Sequence, residues 1–126
     1  MTLLVPVEDL AREASRRSLI AQAALLCATS RRLAADADAW SARARERRCG
    51  GLGDVESHLA QARRCCAAAR QISEDQHNRL LDHDIRQPVL EDIEEQLHSA
   101  RGELVLAASA LDRATASACA CVADAG

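Results

Sequence analysis

From residue 19 to residue 44, apolar or small side chains recur at alternating steps of four and three: Leu19, Ala23, Leu26, Ser30, Leu33, Ala37, Trp40 and Ala44. The same rhythm runs through Leu90, Ile93, Leu97, Ala100, Leu104, Ala107, Leu111, Ala114, Ala118 and Cys121. Between them Val55, Leu59, Ala62, Cys66 and Ala69 keep step until Ile72 breaks phase. A repeat averaging about 3.5 residues keeps one face of an α-helix against a neighbour, so each stretch predicts a helix carrying a packing seam.

Two breaks separate the seams. "CGGLGD" at 49–54 is a strong helix stop: Gly50 and Gly51 accept positive φ, and Asp54 is a good N-cap for the second helix. "RQPV" at 86–89 is weaker, because Pro88 removes a backbone donor and biases Gln87 away from helical angles. The predicted helices span about 7–48, 54–86 and 88–122. At 1.5 Å per residue they run about 45 to 60 Å. The expectation is therefore a single all-α domain over 1–126, an elongated antiparallel three-helix bundle or coiled coil.

Composition adds a reason for a partner. Of 126 residues, 27 are Ala and 26 are Leu, Ile or Val, with one Trp and no Phe or Tyr. Alanine favours helix and lets helices approach closely, but it buries little area at about 25 cal/mol per Å². A core this thin is expected to be completed by dimerisation or by docking onto a protein partner.

Charge divides along the chain. Residues 1–70 hold 12 Arg against 8 acids, and residues 71–126 hold 4 Arg against 11 acids. "RARERR" at 43–48 ends the first helix and "EDIEE" at 91–95 opens the third, so each run suits the helix dipole where it lies. In an up-down-up bundle these runs sit at opposite ends, and an antiparallel dimer would bring basic end onto acidic end. Nucleic acid is not an expected partner: the chain has no Lys, a single aromatic for stacking and no finger or basic-zipper pattern. "MTLLVPVEDL" has no basic n-region and only a short apolar run before Pro6, and nowhere are there 18 consecutive apolar residues. The expected setting is cytoplasmic and off the membrane, where the six Cys stay reduced.

One stretch carries a chemical motif. "HDIRQPV" at 83–89 resembles the H-box of bacterial sensor histidine kinases, the segment of the first dimerisation helix whose histidine accepts phosphate. The resemblance covers seven residues, matching at His83, Asp84, Ile85, Arg86, Pro88 and Val89. It implies a phosphotransfer protein with His83 as acceptor, Asp84 as its helper and Pro88 as a hinge in the helix. The ATP-binding domain of that family has no counterpart in 126 residues, so the chain could not phosphorylate itself. Three residues past Leu80, His83 also reads as a further position on the seam of the middle helix.

Cysteine is the other candidate chemistry. Neither Cys65–Cys66 nor Cys119–Cys121 has zinc-ligand spacing on a helix. In an antiparallel bundle, however, Cys49, His58, Cys119 and Cys121 fall at a similar height, and three thiolates with one imidazole suit zinc or copper(I). Cysteine among alanines also serves as a small buried hydrophobe. No phosphate-cradling loop or nucleophile motif accompanies these residues. Taken together, the sequence favours a non-catalytic helical-bundle module with no cofactor, acting as a homodimer or on a protein partner and placed by its H-box resemblance in bacterial signalling. Phosphotransfer through His83 is the alternative, and metal or thiol binding the second.

Overall fold

The computed structural model describes residues 6–46 and 52–125, with side chains over 6–46 and 53–118. It contains three helices: α1 (Val7–Glu46), α2 (Leu52–Arg79) and α3 (Gln87–Ala125). The carbonyl of Pro6 accepts hydrogen bonds from the amides of Asp9 and Leu10 and so starts α1. Glu8 and Asp9 lie in its first turn and Arg43 and Arg45 in its last, complementing the helix dipole at both ends.

All three helices touch one another, forming a three-helix bundle. Cross-helix pairs give the directions. Ser41 bonds Glu56 at 2.8 Å, Arg63 bonds Asp38 at 2.9 Å, Arg31 reaches Glu74 at 3.7 Å and Arg16 bonds the Leu80 carbonyl at 2.8 Å. As α1 numbers fall α2 numbers rise, so the two run antiparallel. Arg79 with Asp92 and Arg113 with Gln61 show the same for α2 and α3. Arg101 of α3 meets Gln22 of α1, which run parallel. The path is up, down, up.

The predicted seams form the core. Leu19, Ala23, Leu26, Ser30, Ala37 and Ala44 are buried on α1, with Leu33 and Trp40 half-buried. Leu90, Ile93, Leu97, Ala100, Leu104, Ala107, Ala114 and Ala118 are buried on α3. One cluster, rich in Leu, lies toward the α2–α3 turn, and a second, built on Val55, Leu59 and Ala37 against Trp40, lies toward the other end. Between them runs a waist of small side chains in which Ser30 and Ser73 are buried. Their hydroxyls turn back onto the carbonyls of Cys27 and Ala69, so no polar hydrogen is left unpaired there.

The second helix ends earlier than the expected 54–86. It stops at Arg79, and residues 80–86 form a turn. Leu81 and Asp82 donate to carbonyls three residues back, which tightens the last turn. Asp82 Oδ1 then accepts the amide of Asp84 at 2.9 Å, an Asx turn that diverts the chain from the helix. Pro88 is the second residue of α3, where its missing N–H would have had no partner in any case. At Gly102 α3 continues without a break.

Candidate functional site

The H-box stretch forms the α2–α3 turn, and its placement follows from three anchors. Ile85 is buried at 8% exposure and packs into the Leu-rich cluster beside Leu80 and Leu90. Arg16, itself buried at 8%, reaches from α1 and caps the carbonyl of Leu80, one of the orphan carbonyls at the C-terminal end of α2. Glu13 accepts from both Nε and Nη2 of Arg16, at 3.0 and 2.8 Å, holding the guanidinium in that direction.

Between these anchors the polar residues stand in water. His83, Asp84 and Arg86 are exposed. They border a cleft of about 350 Å³ whose other wall is the N-terminal part of α1, with Asp9, Arg12, Glu13 and Arg16. Arg12 pairs with Asp9 and Arg16 with Glu13. Three arginines and three carboxylates line the cleft, so it carries no strong net field. Hydrogen bonds from Arg16 and then Arg17 lower the Glu13 carboxyl to a pKa of about 2, and the Arg16 guanidinium is raised in return by Glu13.

The H-box resemblance implies a histidine on a helix, an adjacent acid and a proline hinge. Here His83 lies in a turn rather than on α2, and it does not occupy a seam. Asp84 is its neighbour in sequence, but no hydrogen bond joins their side chains among the described residues. Pro88 opens a new helix instead of bending a continuous one.

The expected thiol and imidazole site cannot be assembled from the described residues. Cys49 lies outside them, and so do the side chains of Cys119 and Cys121, whose backbone belongs to α3. His58 stands half-buried on α2. Among the described residues no three His, Cys, Asp or Glu side chains come together to hold a metal ion. Cys27, Cys65 and Cys66 are free thiols. Burial raises the pKa of each, with Glu74 adding to the effect at Cys27, Glu103 at Cys65 and the neighbouring Cys65 at Cys66. Cys66 is a small buried core residue and Cys27 and Cys65 are half-buried, and none has the lowered pKa of an activated nucleophile.

Sequence reasoning missed Arg12 and Arg16. Counting back from Leu19 by three and four lands on them, so arginines on an otherwise apolar seam were the available signal. No helix among the described residues is long and apolar enough to cross a membrane. No protein-family model matches the chain, and no curated protein or solved structure matches it.

Proposed function

We propose that the chain is a non-catalytic three-helix interaction module that works through its helix faces, by self-association and by docking onto a protein partner. The observation that carries this reading is the set of large aliphatic side chains left in water: Val7 at 80% exposure, Leu10 at 58%, Leu25 and Val105 at 67%, Leu81 at 57% and Leu106 at 50%. All but Leu81, which lies in the α2–α3 turn, stand on the outer faces of α1 and α3, in a chain with few large apolar residues to spare. Continuous helices with apolar outer positions are the surfaces on which partner helices dock. The same reading takes the setting to be cytoplasmic, where cysteines stay reduced. A setting in bacterial signalling rests on the resemblance of residues 83–89 alone.

A second reading, phosphotransfer through His83, is favoured by the exposure of that imidazole beside the cleft with Arg12 and Arg86. One experiment separates the two. Phosphoramidate transfers its phosphoryl group to imidazole nitrogen with release of ammonia, and it needs no partner enzyme. The module reading expects His83 to be phosphorylated no faster than His98, which is also exposed. Selective phosphorylation of His83, followed by mass spectrometry of the peptides, would overturn the non-catalytic reading.

A further inference from the structure

The waist between the two core clusters leaves a cavity on the α1–α2 side of the bundle. Ser30 and Ala34 of α1 and Cys66 and Ala67 of α2 form its floor, and side chains this small do not fill the groove between the two helices. The space left is about 410 Å³, within the range of about 300–1,000 Å³ that holds small ligands. Its rim is basic. Arg31 from α1 and Arg63 and Arg70 from α2 line it, three guanidiniums beside the carboxylate of Glu74.

The hydrogen bonds of these arginines leave most of their donors unused. Arg63 donates from Nε to Asp38 at 2.9 Å, and Arg70 donates from Nε to Glu74 at 2.8 Å. Arg31 approaches the same Glu74 oxygen only to 3.7 Å, beyond hydrogen-bonding distance. A guanidinium carries five N–H donors, four of them on its two Nη nitrogens. Among the described residues no hydrogen bond engages an Nη nitrogen of these three arginines. Two carboxylates answer three guanidiniums, so the network holds one positive charge in surplus.

Surplus donors and surplus charge on one rim select an anion rich in acceptors. A phosphate group carries a charge of about −1.5 to −2 at neutral pH on acceptor oxygens that suit the planar guanidinium fork. With five heavy atoms it fills only part of the cavity, and the small apolar side chains of the floor leave room for an organic body.

We infer that the α1–α2 groove at the waist binds a small phosphate monoester, its oxygens on the Nη donors of Arg31, Arg63 and Arg70 and its organic body over Ala34, Cys66 and Ala67. The inference goes beyond the interaction-module reading and does not depend on it.

The test is a two-dimensional amide NMR titration of the full chain with phenyl phosphate, repeated with inorganic phosphate and with sodium chloride at matched ionic strength. Phenyl phosphate is expected to give saturable shifts at the amides of residues 30–34 and 63–71, with a Kd of about 1 mM. Inorganic phosphate should bind the same amides more weakly, and chloride should not saturate them. Arg31→Met should weaken phenyl phosphate about 10-fold. Because Arg31 makes no hydrogen bond within the described residues, its loss should leave the urea midpoint unchanged, which separates binding from folding. Arg17→Met, on an exposed side chain away from the groove, should bind as the wild type does. Shifts that fail to saturate, that chloride reproduces, that fall instead on the turn at 80–86, or that persist at full affinity in Arg31→Met would each overturn the site. Inorganic phosphate binding as tightly as phenyl phosphate would overturn the seat for an organic body.

Discussion

Nη1 of Arg16 donates a hydrogen bond to the carbonyl oxygen of Leu80 at 2.8 Å, joining α1 to the end of α2 across 64 positions of sequence. The contact places a positive charge at the negative end of the α2 dipole and satisfies a carbonyl that the helix cannot. The turn bearing His83 therefore depends on α1 for its shape. Arg16→Met should lower the urea midpoint and speed hydrogen exchange at the amides of residues 80–86. Arg17→Met, at a side chain 77% exposed, should do neither. Equal effects from both would remove the capping role of Arg16.

Acid should loosen the same junction. The Glu13 carboxyl is lowered from 4.5 to about 2 in the folded chain, chiefly by its hydrogen bond from Arg16. A depressed folded pKa means stability that is fully present above the unfolded value and lost as pH falls toward the folded one. Glu13→Gln should therefore be less stable than wild type near neutral pH, and the gap should close between about pH 4.5 and pH 2. Glu74, lowered by its hydrogen bond from Arg70, adds to acid sensitivity in the same direction. Urea midpoints at several pH values provide the check; a gap that widens in acid would contradict this assignment.

The alanine-rich core should resist enlargement as well as truncation. Leu59 and Ala62 are both fully buried on α2. Leu59→Ala should cost about 3 kcal/mol, and Ala62→Leu about 2 kcal/mol because the close approach of helices leaves no room for the added carbons. Chemical denaturation measures both. A neutral Ala62→Leu would show that the seam is looser than the burial of its residues indicates.

The thiols should be slow. Burial raises Cys27, Cys65 and Cys66, so at neutral pH each holds less thiolate than free cysteine does. Iodoacetamide labelling, read peptide by peptide, should proceed more slowly at these three in the folded chain than in urea. Fast labelling of any of them in the native protein would reveal an activated site.

Much of the fold was legible because local periodicity and tertiary packing agree in it. Val55, Leu59, Ala62, Cys66 and Ala69 are all buried, as their spacing requires, and the same four-three rhythm continues through Ser73, Gln76 and Leu80, so the half-buried Ile72 does not break the phase as expected. The end of α2 was less legible. Pro88 drew the boundary toward itself, whereas Asp82 and the distant Arg16 end the helix at Arg79, and a contact spanning 64 residues leaves no local pattern. The candidate site was half legible: the residues of the H-box motif could be read, and their conformation as a turn could not.

Native mass spectrometry of the protein recovered from its own host without exposure to oxygen tests the central claim most directly, because oligomer, metal and labile phosphate appear in one spectrum. A helix-face interaction module predicts a dimer of the bare polypeptide with all thiols free. A phosphoryl group that is present on the wild-type chain and absent from His83→Ala would contradict it and establish the α2–α3 turn as the working site.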